Sequence, residues 1–187
     1  PGGFGDGTSD GFLRRPLPSR GEGYRCSEGR IVEVTDASMN VFAYGTLTFA
    51  QVMEVVAGKL FEYESGLLAG YVRYGLRGES YPALVPNSSS ATEGVLWRDV
   101  DAESMSRLDA FEGAWYARTT VQVLMGDPPD PASAVDAVTY VLIPSQHHRL
   151  NRRRWSRDRF ETRHLPQFMR RHRALTPLPM VQEDPRE

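Results

Sequence analysis

Four short segments rich in β-favouring residues constrain the fold of this chain more than anything else in it: Leu67 to Tyr74, Thr92 to Val100, Thr119 to Met125 and Ala137 to Ile143. Each alternates or clusters apolar side chains as a half-buried strand does. Gly and Pro stand between them, and this punctuation favours a compact barrel or strongly bent sheet over a doubly wound one. The expected class is α+β, a small mixed β-barrel with flanking short helices.

Two further stretches place helices beside that sheet. The run Val41-Phe42-Ala43-Tyr44 reads as a buried strand broken by Gly45. A helix is expected after it, capped by Thr48, with Val52, Val55, Val56 and Leu60 at helical spacing and Gly58 weakening its end. In DAESMSRLDAFEGAWYAR, Met105, Leu108 and Phe111 form one apolar helical face. Asp101 is the expected cap and Gly113 the stop, which puts Glu112 at the helix end rather than on its exposed middle. Asp127 to Pro131 reads as a rigid turn between strands.

The 187 residues suit one ordinary domain with appendages. Residues 1–38 are rich in Gly, Ser, Pro, Asp and Arg and are expected to be a poorly ordered leader, although Ile31, Val32 and Val34 also suit a short edge strand and Met39 is an alternative start. Residues 39–145 form the expected domain. Residues 146–187 read as an Arg-rich helical extension and tail, one or two short helices interrupted near Pro166, with Trp155, Phe160, Phe168 and Met169 laid on the barrel.

Composition excludes several classes. No apolar run approaches the roughly 18–20 residues of a membrane-spanning helix, and the leader lacks the apolar core of about 7–15 residues that a secretion signal carries. The one cysteine, Cys26, has no partner for an intramolecular disulfide, so a reduced, cytoplasmic protein is the expectation. A net charge of -2 gives no global pull toward nucleic acid. The arginines of the tail alternate with Trp and Phe, which would suit phosphate contact and base stacking. Arginine is used almost to the exclusion of lysine throughout the chain, however, and this favours a solvated helix face over nucleic-acid binding. His147, His148, His164 and His172 show no zinc-ligand spacing, and no metal is expected.

The residues with chemical promise fall in three places. In Phe42-Ala43-Tyr44-Gly45-Thr46-Leu47 a strand enters a glycine loop and then a helix. Such a loop leaves backbone N–H groups unpaired near a positive helix end, which suits a carboxylate or oxyanion, and it equally suits a purely structural strand-turn-helix. Tyr81-Pro82-Ala83-Leu84 either presents the Tyr81 hydroxyl to a pocket or packs the ring over a barrel edge. Glu93-Gly94-Val95 is followed by Leu108-Asp109-Ala110-Phe111-Glu112-Gly113 and then by Trp115-Tyr116-Ala117-Arg118. A glutamate at a helix end is ordinarily a surface residue.

Taken together, in this order and spacing, these motifs resemble the AIG2-like gamma-glutamylcyclotransferase family, whose YGTL loop, YPAL-type segment, LDxFEG run and following Y-x-R they match over about a hundred residues. The resemblance leaves out the leader and the tail. It implies a gamma-glutamylcyclotransferase-like fold and a small-molecule gamma-glutamyl substrate whose own alpha-amine attacks its side-chain carbonyl, releasing 5-oxoproline and a free amine. No enzyme nucleophile, cofactor or metal is implied. Glu112 matches the acid/base position, for which desolvation by Phe111, Trp115 and Tyr116 would have to raise its pKa. The amides of Gly45, Thr46 and Leu47 would hold the substrate carboxylate or the developing oxyanion, with Tyr44 bracing the loop and Tyr81 and Tyr116 in contact with substrate. Arg118 would meet either a substrate carboxylate or Asp109, and strand alternation favours Asp109. The alternative is a non-catalytic binding module of the same fold.

Overall fold

The structure, a computed structural model, describes residues 38–173. The leader with Cys26 and the Ile31 to Val34 segment, and the tail after Arg173, lie outside the described residues. Among the described residues are six strands, β1 (Met39–Ala43), β2 (Tyr63–Leu76), β3 (Pro82–Val100), β4 (Tyr116–Met125), β5 (Asp130–Leu142) and β6 (Leu150–Arg154), and four helices, α1 (Ala50–Ala57) after β1, α2 (Ala102–Glu112) after β3, and α3 (Arg157–Arg163) and α4 (Leu165–Arg173) after β6.

Five of the strands close into a ring. β2 and β3 form a long antiparallel hairpin, β3 continues onto β1 with Ala43 opposite Val95, and β1 runs parallel to β5 at Val41 and Val138. β5 pairs with β4, and β4 returns to β2 with Leu67 opposite Leu124. Closure leaves few strand edges exposed, and β6 covers one side of β2. The expected α+β barrel is therefore present, with longer strands than the segments suggested. The YPAL run opens β3 itself. β2 and β3 reach 14 and 19 residues because a register shift between Ala69 and Tyr71, with Gly70 at a φ of 80°, bends the hairpin rather than ending it.

Strand alternation divides β1 between two cores. Phe42 and Tyr44 point into the barrel with Leu68, Leu84 and Leu96, while Val41 and Ala43 face the helices. On that second side Val52 and Met53 of α1, Leu108 of α2, Phe160 of α3 and Leu165 and Met169 of α4 form one cluster with Trp97. Each large apolar side chain sealed there contributes roughly 2 kcal/mol.

The caps divide in the same way between expectation and finding. Asp101 accepts from the Ser104 amide at 2.8 Å and starts α2, and Gly113, at a φ of 66°, stops it. Thr48 does not cap α1. Its hydroxyl instead donates to the Gly45 carbonyl at 2.7 Å across a 3-10 turn, Thr46–Thr48, and Phe49 occupies the position before the helix. Leu60 lies beyond α1 and is 52% exposed, because Gly58 at a φ of 90° ends the helix early. Residues 150–154, expected within a helical extension, pair as β6. The break in the two C-terminal helices falls at His164. Pro166 is the second residue of α4, where its missing N–H costs no hydrogen bond.

Candidate active site

Where β1 leaves the barrel, the chain turns through Tyr44 and Gly45 into the 3-10 turn, and this loop, the start of β3 and the end of α2 enclose a cavity of about 340 Å³. That is the lower end of the range for small-molecule sites. The loop approaches β3 so closely that a Cβ on Gly45 would lie 2.7 Å from Pro82 Cγ and 2.9 Å from its Cδ. Glycine is required there by contact. Gly94 has the same role on the other side, where a Cβ would collide with the Ala43 carbonyl.

Further contacts immobilise the loop. The Trp97 indole N–H donates to the Leu47 carbonyl at 3.0 Å, and the Tyr44 hydroxyl donates to the Tyr140 carbonyl at 2.6 Å. Arg73 donates to the Tyr44 carbonyl at 2.5 Å while its guanidinium lies 5.2 Å from the Trp155 ring. Thr46 and Leu47 open a 3-10 turn, and the first amides of such a turn have no carbonyl within it to meet. Their residues line the cavity.

Opposite the loop, α2 ends at Glu112, and Gly113 to Trp115 make a second 3-10 turn into β4. Phe111, Trp115 and Tyr116 line the same cavity as Glu112, and removal of its carboxyl from water pushes the Glu112 pKa up to about 8. The Tyr116 hydroxyl donates to the Pro82 carbonyl at 2.9 Å, and burial, then the Glu112 charge, hold its proton on well above the ordinary range. Tyr81 is pushed up to about 12 by burial and by Glu79 beside it.

The seven residues singled out in the sequence, Tyr44, Gly45, Thr46, Leu47, Tyr81, Glu112 and Tyr116, thus line one cavity. Their polar atoms are used unequally. The hydroxyls of Tyr44 and Tyr116 are spent on backbone carbonyls, so these rings shape the wall and hold the frame. Arg118 pairs with Asp109 at 2.9 Å, the structural alternative of the two considered. Sequence reasoning missed Tyr140, Phe168 and His172 on the cavity wall. The only available signal was the spacing of Leu165, Phe168, Met169 and His172 along one helix face. Among the described residues, no three His, Cys, Asp or Glu side chains gather as metal ligands.

Residues 41–157 match the family model of gamma-glutamyl cyclotransferase, AIG2-like. The chain belongs to this family. Among its curated relatives from Arabidopsis thaliana, AIG2-like protein C is 30% identical over 49% of this chain and 53% of its own length, and Protein AIG2 C is 28% identical over 74% and 81%. The chain spans about half the length of the first of these. Two solution structures of Arabidopsis thaliana proteins share the fold. One is 28% identical, with a TM-score of 0.56 over 74% of this chain and 82% of its own; the other is 26% identical, with a TM-score of 0.55 over 76% and 94%. The family match ends at residue 157, so α4 and its two cavity residues lie beyond it.

Proposed function

We propose that this family member is a gamma-glutamyl cyclotransferase in which Glu112 is the general acid/base. The observation that carries the reading is the Glu112 carboxyl itself, held in a largely apolar cavity at a helix end and facing the Gly45 to Leu47 loop. In the proposed reaction the substrate's glutamyl end sits against the loop, whose amides receive the alpha-carboxylate or the oxyanion that forms on the attacked carbonyl. The alpha-ammonium gives a proton to Glu112. The freed nitrogen lone pair bonds to the side-chain carbonyl carbon, the bond from that carbon to the amide nitrogen breaks, and Glu112 passes its proton to the departing nitrogen. The ring nitrogen then gives up its second proton by the same route, so that 5-oxoproline carries one N–H, the amine leaves as an ammonium, and Glu112 ends as the carboxylate it began as. Atoms and charge balance with no other reactant.

A Glu112 pKa of about 8 suits this shuttle. A chain-terminal alpha-amine titrates at about 7.7–8.0 and one beside a free carboxylate somewhat higher, so the proton moves between two groups of comparable affinity. An ordinary glutamate, near about 4.3, would accept that proton only at a cost of several kcal/mol.

The test is to incubate the purified protein and its Glu112→Gln variant with a panel of gamma-glutamyl compounds and measure 5-oxoproline by mass spectrometry. Product from the wild type and none from the variant is the expected result. No product from a folded wild type across the whole panel would overturn the reading and leave a binding module.

A further inference from the structure

The cavity wall on the Glu112 side is built by a helix outside the family match. Phe168 and His172, one turn apart on α4, stack with ring centroids 4.2 Å apart. Both rings also meet Phe111, the neighbour of Glu112, Phe168 edge-on at 6.1 Å and His172 at 5.5 Å. α4 is a fixed element, because Leu165 and Met169 are buried in the helix-side core and Phe168 packs edge-on to buried Phe160 at 5.7 Å. Its arginines Arg170 and Arg171 remain exposed. The helix therefore turns an aromatic edge to the cavity and a cationic one to solvent.

Position within the site gives this wall a role. In the proposed reaction Glu112 reaches both the alpha-nitrogen and the departing nitrogen while the loop holds the carboxylate or oxyanion, so the amine extends from the departing nitrogen past Glu112 to the wall beside it. We infer that Phe111, Phe168 and His172 form the subsite for the leaving amine, and that it takes an amine with an uncharged aromatic or large aliphatic side chain. This inference rests on the cyclotransferase reading of the cavity.

Charge argues for an uncharged side chain on that amine. A cation also binds aromatic faces, but Arg149 already lies 3.9 Å from the ring of Trp115, another residue of the cavity wall, and Arg171 adjoins His172. Burial, and then Arg171, draw the His172 pKa below the ordinary histidine range, which leaves a neutral ring at pH 7. A lysine side chain would bring a further cation to a wall that already has arginines beside it. An aromatic ring would instead gain edge and face contacts of the kind Phe168 already makes with its neighbours.

The experiment compares gamma-glutamyl-phenylalanine, gamma-glutamyl-alanine and the gamma-glutamyl-lysine isopeptide on the full chain, by kcat/KM for 5-oxoproline release and by calorimetric binding to the Glu112→Gln protein. The expected preference for the phenylalanine compound over each of the others is about tenfold or more, the scale of an aromatic contact. Phe168→Ala should bring that ratio to near one, while Phe168→Leu keeps part of it. If Phe168→Ala does not fold, His172→Ala, near the end of the helix, takes its place with the same readings. Equal ratios in wild type and variant, or a preference for the isopeptide, would overturn the subsite. Absence of turnover with every compound overturns the cyclotransferase reading alone. The binding ratio then still decides the subsite: a preference that Phe168→Ala cancels supports it, and a ratio near one sinks it.

Discussion

Gly45 lies so close to Pro82 that the two motifs carrying them, YGTL and YPAL, meet as one surface, with only 2.7 Å between Pro82 Cγ and the place a Cβ on Gly45 would take. The loop cannot take a side chain without moving off β3, and movement by that margin would misplace its amides. Gly45→Ala is expected to lower kcat/KM for 5-oxoproline formation by roughly 100-fold, the scale of losing one oxyanion donor. Pro82→Ala, which removes the obstructing ring, should recover part of that loss in the double variant. A double variant no better than Gly45→Ala alone would show that contact with Pro82 is not what glycine is there to permit.

In the proposed reaction the pH dependence follows from Glu112. Its carboxyl must be ionised to receive the proton and is protonated below about 8. The substrate ammonium loses its proton above about 8. The profile of kcat/KM should accordingly be a bell with its maximum near pH 8, its acid limb set by Glu112. A profile flat from pH 5 to 8 would mean that Glu112 titrates as an ordinary surface carboxylate.

Stability should reveal the same group from the other side. The folded pKa of Glu112, about 8, lies above an unfolded value of about 4.3, so its favourable contribution is complete below about pH 4.3 and is lost as pH rises through 8. Gln at this position stays neutral throughout. Relative to Glu112→Gln, the wild type should lose on the order of 3 kcal/mol between pH 5 and pH 9, a figure reduced because part of the side chain meets the open cavity. Urea unfolding of both proteins at the two pH values measures this directly. A gap between them that does not change with pH would contradict a desolvated carboxyl.

Asp109 ties the last turn of α2 to the β4–β5 hairpin. One of its oxygens accepts from the buried Tyr140 hydroxyl at 2.8 Å and the other from Arg118 at 2.9 Å. The Arg118 pair is exposed and adds little, whereas the Tyr140 hydroxyl, deprived of its acceptor, would be left poorly satisfied. Asp109→Ala should cost about 1–3 kcal/mol, and Tyr140→Phe about 1 kcal/mol. Because Glu112 follows in the same turn, Asp109→Ala should also reduce kcat more than it raises KM. Chemical denaturation and steady-state kinetics on the two variants separate these effects, and an equal change in kcat and KM would remove Asp109 from the positioning of Glu112.

Much of this site was legible because local chemistry governs it. Strand alternation in Val41 to Tyr44, the Asp101 cap, the Gly113 stop and the pairing of Arg118 with Asp109 all depend on residues a few positions apart, and each stands as the spacing suggests. Thr48 misled because a threonine after a glycine loop satisfies either a helix cap or the Gly45 carbonyl, and the 3-10 turn decides between them. Leu60 misled because helical spacing continues past Gly58, where the left-handed backbone ends the helix.

The sequence by itself determined the sheet-rich class, the two glycine-bounded helices and the motifs that carry the family. Tertiary structure alone decided that β2 reaches β4 through Leu67 and Leu124 to close the ring, that residues 150–154 join the sheet, and that Phe168 and His172 complete the cavity. These are contacts between residues far apart in the chain. Their formation depends on the shape and apolar surface left uncovered when the local elements collapse together, and no periodicity within a segment encodes what that segment will meet.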